Sequence, residues 1–184
     1  EGYEFVYIDE DDIPELVMCC NDGAWYGYNL YTVQDGAAVR LEVFDTFGDV
    51  CMEGSQYTSG GRQCQGDGYL YKQGVYIQTG GMMGCYWLCG YKLDNGKLNK
   101  IFEYEYADMT SWAENSSPIS YGITYVGKDG EIVSCSKQED INFECCPEIQ
   151  DIEEIYGISF DLQIEFSIGA DGRMNAEDAL RYLE

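Results

Sequence analysis

Histidine is missing from all 184 positions. Its absence removes the Ser-His-Asp and Cys-His nucleophile pairs, which need imidazole as proton acceptor. It also removes the ligands on which catalytic zinc sites are usually built. Cations are scarce: 10 Lys+Arg stand against 34 Asp+Glu, a formal net charge of −24. Phosphate backbones are held by clustered cations, so nucleic acid is not an expected partner, and an anionic membrane surface is disfavoured on the same ground. Long apolar runs are lacking too. The longest, around Met82 to Tyr91, falls well short of the ~20 residues a spanning helix needs, so no transmembrane segment is expected. No C-x-x-C motif occurs, and cations are sparse around the cysteines, which leaves a thiol oxidoreductase the weakest of the catalytic readings.

What is present points to one acidic, β-rich domain. The length fits a single unit over residues 1–184, and 45% hydrophobic residues are enough to build a core. The 22 glycines and 17 tyrosines favour tight turns and strands. Tyr31 to Leu41, Tyr91 to Ile101 and Tyr125 to Cys135 share the pattern Tyr-x3-[Asp/Asn]-Gly-x4-apolar. Asp-Gly and Asn-Gly tolerate the positive φ of two-residue hairpin turns, so each segment is read as a β-hairpin. A fourth is expected around Tyr69 to Thr79, turning at Gln73-Gly74. The hairpin region runs over about 3–137, as a meander or an incomplete propeller-like array. A mixed region follows over 138–184. There Gln138 to Cys146 is expected to form a short helix that Pro147 ends, Asp151 to Tyr156 one more turn, and Ala176 to Leu183 a terminal helix capped by Asn175. The fold class is mainly β (α+β), with antiparallel hairpins and short helices toward the C-terminus.

Nine cysteines, an odd number, leave at least one free or paired between chains. Cys85 and Cys89 would face one side of a strand about 13 Å apart, too far to bridge. Cys19-Cys20 and Cys145-Cys146 are neighbours that point to opposite faces of an extended chain, so they read as small apolar fillers. Buried thiols and one or more disulfides both remain open.

The segment Tyr7-Ile-Asp9-Glu10-Asp11-Asp12-Ile13-Pro14-Glu15-Leu16-Val17 carries alternate carboxylates in a tight loop, followed by a carbonyl and another carboxylate. Calcium takes six to eight oxygens of these kinds. The segment resembles the D-x-D-G-D-G-x-x-E-L signature of FG-GAP-like and VCBS-like repeats. With the Leu30 to Leu41 hairpin and the later hairpins, residues 3–137 are similar to a group of uncharacterised secreted proteins and lipoproteins of anaerobic Gram-positive gut bacteria. In the alignment Tyr7 stands at the first acidic position, and Glu10 and Asp12 replace the loop glycines. The resemblance implies calcium ligation by Asp9, Asp11 and Glu15 with the Ile13 carbonyl. A second, weaker resemblance joins Ser167 to Leu180 to a dockerin-type calcium loop. It carries over Asp171, Asn175 and Asp178, with Ser167 and Gly169 where the first two ligands would be. Only one such loop occurs, so no cohesin partner is implied. The alternative for the first segment is a solvated acidic turn opening a buried strand, and for the second a turn-then-helix shape without metal, with Gly172 at the bend and Asn175 as the cap.

The expected function is a non-catalytic extracellular or cell-surface binding or structural module, with a glycan or a protein as partner. A chain that starts at Glu1 fits removal of a signal or anchor segment. Trp25, Tyr26, Trp87 and Trp112 are the ligand-binding candidates, because aromatic faces stack on sugars and anchor interfaces; the alternative is that they fill a β core. No catalytic residue is assigned, and calcium is the only cofactor implied. The other function considered is a carboxylate-based, glycan-active enzyme with two acids about 5–10 Å apart.

Overall fold

In the computed structural model the chain is described over residues 2–21, 26–44, 64–82, 84–107, 119–141, 143–160, 165–166, 175, 177–178 and 181. Two sheets and one helical layer account for them. The first sheet has the order β1-β2-β3-β4, from Gly2–Val6, Glu15–Asn21, Tyr26–Gln34 and Ala37–Arg40. The second is a meander, β6 to β11, from Cys64–Leu70, Val75–Met82, Cys85–Asp94, Lys97–Ala107, Ser120–Val126 and Ile132–Lys137. The two-residue β12, Glu165–Phe166, adds to the β6 edge. All these pairings are antiparallel. The exception is β5, Glu42–Phe44, which runs parallel to β9 along Lys97–Asn99. Because β5 follows β4 by one residue, it carries the chain from one sheet onto the edge of the other.

Alternation along the strands explains the layering, since successive side chains leave a strand on opposite faces. Tyr76 of β7 and Trp87, Cys89 and Tyr91 of β8 enter one core with Val6, Val17 and Leu30 of the first sheet. Val75, Ile77, Phe102, Tyr104, Tyr121, Ile123 and Tyr125 enter a second core with Phe143, Cys146, Ile149, Ile152 and Ile158. The meander is thus covered by a sheet on one face and by the helical segment on the other.

The hairpins at Asp35-Gly36 and Asn95-Gly96 form as expected. All four turn residues have positive φ, between 50° and 77°, which matches the twist of the strands they join. The Tyr69 to Thr79 hairpin also forms, around a four-residue turn with Lys72 and Gly74 at positive φ. The Asp129-Gly130 hairpin differs: a loop over 127–131 joins β10 to β11, and only Gly130 is at positive φ. The helical reading needs a larger correction. Phe143–Cys145 is a 3-10 turn, and Pro147 opens a helix instead of ending one. Helix α1 spans Glu148–Tyr156, with Pro147 (φ −58°) at its N-cap and Gly157 at φ 62° as its C-cap. Proline lacks the N–H that a first turn leaves unused, so it suits a helix start.

Candidate functional site

The loop between β1 and β2 is the acidic segment singled out above. It is built by its own side chains. Asp9 Oδ1 accepts from Asp11 N at 3.1 Å, and Asp11 Oδ1 accepts from Ile13 N at 2.7 Å. Short acidic side chains close local turns in this way. The loop is also tied to the turn between β6 and β7. Lys72 N donates to Tyr7 O at 2.9 Å, Gly74 N donates to Ile8 O at 2.6 Å, and Lys72 Nζ meets Asp12 at 2.6 Å. That turn is fixed from behind: Gln73 exchanges two hydrogen bonds with Ser159, and Lys92 Nζ donates to Gln73 O at 2.6 Å.

Between loop and turn lies a cleft of about 350 Å³, lined by Asp9, Glu10, Asp11, Gln73, Gly74, Lys92 and Leu93. Its wall disfavours charge. Burial raises the pKa of Asp9, and neighbouring Asp11 and Glu10 add to the rise. Burial lowers that of Lys92, against the pull of Glu10. Beside the cleft Tyr7 and Tyr71 meet edge to face at 6.1 Å between ring centres, with Lys72 Nζ 5.7 and 6.0 Å from the two rings. Tyr71 is half exposed. An acceptor-rich wall with an exposed ring at its margin suits a ligand bearing hydroxyl or amine donors.

Glu15 does not share this wall. It is 1% exposed, and its carboxylate accepts from Ile8 N at 2.9 Å and from the Thr32 hydroxyl at 3.2 Å. Burial, reinforced by the charge of Asp9, lifts its pKa to about 7 despite those hydrogen bonds. The four residues of the expected calcium set therefore divide. Asp9 and Asp11 line the cleft while capping backbone groups of their own loop, the Ile13 side chain is exposed, and Glu15 turns inward as a latch beneath the loop. Among the described residues no three acidic or thiol side chains are gathered to hold a metal ion.

In the C-terminal segment Asn175 and Asp178 bond each other. Asp178 N donates to Asn175 Oδ1 at 3.0 Å, as expected of an N-cap, and Asn175 Nδ2 donates to Asp178 Oδ2 at 2.8 Å. Trp25, Trp112 and Asp171 lie outside the described residues, as does the side chain of Tyr26. Trp87 is 8% exposed inside the first core, which removes it as a ligand platform. Among the described residues the exposed large rings are Tyr71 and Tyr86, the latter beside Tyr106 at 6.4 Å. Strand parity alone did not single out these tyrosines from the other 15.

A second cleft of about 230 Å³ lies where the β10–β11 loop faces α1, lined by residues that include Glu131, Asp151 and Glu154. Tyr125 donates to Asp151 there at 3.0 Å. No family model matches the chain, and neither the curated proteins nor the solved structures give a match. No helix among the described residues is long and apolar enough to cross a membrane.

Proposed function

We propose that this chain is a non-catalytic binding module that works outside the cytoplasm and takes a glycan or protein ligand in the cleft between the acidic loop and the β6–β7 turn. One observation carries the proposal: of the two carboxylates of this loop whose pKa burial raises, Asp9 and Glu15, the one lifted to about 7, Glu15, does not reach the cleft. Asp9, Glu10 and Asp11 line the open cleft, whereas Glu15, with its pKa near 7, is sealed under the loop. A general acid must reach the atom it protonates, so the glycan-active enzyme is the weaker alternative. The acidic charge and the resemblance to secreted proteins support the extracellular assignment. The proposal is argued without calcium, because Glu15 of the expected ligand set is turned inward onto Ile8 N and the Thr32 hydroxyl.

The test is retention of the chain on immobilised neutral polysaccharides and on a lysine-rich protein, with soluble sugar release followed in parallel. Asp9→Asn with Asp11→Asn keeps the oxygens that close the loop and removes the charge. Loss of at least about tenfold in affinity in that variant is expected. Retention unchanged in the variant, or release of sugars by the wild type, would contradict the proposal.

A further inference from the structure

The segment Ile132–Lys137, Ile-Val-Ser-Cys-Ser-Lys, forms the last strand of the meander and is left as an edge. β11 pairs with β10 from Tyr121–Lys137 to Val126–Ile132 without a bulge, and among the described residues no strand lies on its other side. The direction of its backbone groups follows from the turn. Gly127 N donates to Glu131 O at 2.8 Å, so these two residues are a hydrogen-bonded pair. Bonded and non-bonded pairs alternate along an antiparallel ladder. Val133, Cys135 and Lys137 therefore bond to β10, while Ile132, Ser134 and Ser136 turn their N–H and C=O groups outward. The Thr124 and Ser134 hydroxyls meet at 3.0 Å, as the closer side chains of a non-bonded pair do. Ile132, Ser134 and Ser136 also carry the exposed side chains of the strand.

Sheet edges are ordinarily guarded by brevity, proline, bulges or charge. The opposite edge of the same sheet follows that rule, ending in the two-residue β12. β11 has none of these guards. It is six residues long and lacks proline, and its single charge, Lys137, is taken by Glu148 at 3.1 Å. An open edge offers main-chain bonds to an extended segment, and the side chains beside it select which segment. Here the neighbours are acidic. Val133 lines the cleft of about 230 Å³ together with Glu131, Asp151 and Glu154, and Lys128 is the one cation of that lining. Helix α1 carries Glu148, Asp151, Glu153 and Glu154 and no cation, and Asp151 and Glu154 are exposed. A second copy of the chain would bring another charge of −24 to this edge, which repulsion opposes.

We propose that β11 is a docking edge for an extended, lysine- or arginine-rich segment of a partner protein. The segment adds as a further strand, bonding to the outward groups of Ile132, Ser134 and Ser136. A residue set opposite Val133 lies about 5 Å from it across the new pair, so a long cationic side chain there reaches Glu131, Asp151 and Glu154. The surface shares no residue with the cleft at the acidic loop.

The experiment titrates the full chain, at physiological ionic strength, with a short peptide of alternating lysine and valine, and follows amide hydrogen exchange in parallel. A second peptide of the same sequence, N-methylated at every residue, keeps the charge and cannot join a ladder. The unmodified peptide is expected to bind at least about tenfold more tightly than the methylated one and to slow exchange at Ile132, Ser134 and Ser136. Asp151→Asn with Glu154→Gln removes charge from the cleft and is expected to weaken the unmodified peptide about fivefold. Ser134→Pro deletes an outward N–H where an edge tolerates proline, and is expected to abolish the difference between the peptides. Should Ser134→Pro fail to fold, the wild-type exchange map decides. Absence of binding, equal binding of the two peptides, or unchanged affinity in the Asp151→Asn, Glu154→Gln variant would overturn the proposal. So would protection of the three amides in a dimer without peptide, which would make the occupant a second copy.

Discussion

At the scale of single residues, Glu15 governs the acidic loop. Its folded pKa of about 7 stands above the ordinary 4.5, so the folded state binds a proton that the unfolded state has released. Stability from this group is full below pH 4.5 and is lost as pH rises through 7, with an upper bound of about 3 kcal/mol. Glu15→Gln keeps an acceptor for Ile8 N or Thr32 and carries no charge. Thermal melts from pH 4 to 8 are expected to fall with pH in the wild type and to be flatter in the variant; the reverse order would show that Glu15 is held ionised. Gly90 is the second residue whose environment leaves little choice. A Cβ there would sit 2.0 Å from Cε1 of the fully buried Phe102, so Gly90→Ala is expected to cost about 1–3 kcal/mol by denaturant titration. Neither position was legible in the sequence. Glu15 reads as one more acid in a run, because nothing local says that strand β2 begins with its side chain turned inward.

At the scale of elements, much was legible. Asn95-Gly96 and Asp35-Gly36 announce their hairpins because a type of turn that needs two positive φ values admits few residues. Asp129-Gly130 carries the same pair in a longer loop, so the dipeptide marks a turn without fixing its length. Pro147 was misread for a similar reason: proline both follows and opens helices, and the acids after it, Glu148 and Asp151 in the first turn, were the better signal. A bulge in β9 had no signature at all. Gly90 pairs with Phe102 and Tyr91 with Lys100, so Ile101 is extra. That residue brings Lys100 and Glu103 to the same face, where they form a 2.7 Å ion pair with side chains 6% and 13% exposed. Strict alternation would have placed them on opposite faces. Gly157 gives the element-scale prediction. Its left-handed conformation closes α1, so Gly157→Ala is expected to destabilise by about 1 kcal/mol. No change in the melting midpoint would show that the cap is dispensable.

At the scale of the whole molecule, the stacking of a four-stranded sheet on one face of the meander and of α1 on the other was not legible. The pattern Tyr-x3-[Asp/Asn]-Gly recurs in both sheets, in β3–β4 and in β8–β9, so the repeat points to hairpins and is silent on which sheet each joins. β5, parallel on β9, is a connection no local pattern announces. The candidate site was half legible: the acidic loop was found from its carboxylates, while its partner wall, Gln73, Gly74 and Lys92, came only with the fold. Net charge of −24 spread over this surface is self-repelling. Monovalent salt is expected to raise the melting midpoint by screening it, and a midpoint that falls with salt would mean that the few ion pairs dominate.

The functional proposal depends on the acidic loop being held by Glu15, Gly74 and Lys72, with no ion required. The most direct measurement is a thermal melt with calcium titrated to millimolar and magnesium in parallel, at fixed ionic strength. Equal small shifts from the two ions are predicted, unchanged by Asp11→Asn. A shift of several degrees from calcium alone, abolished in that variant, would contradict it and make the loop a metal site.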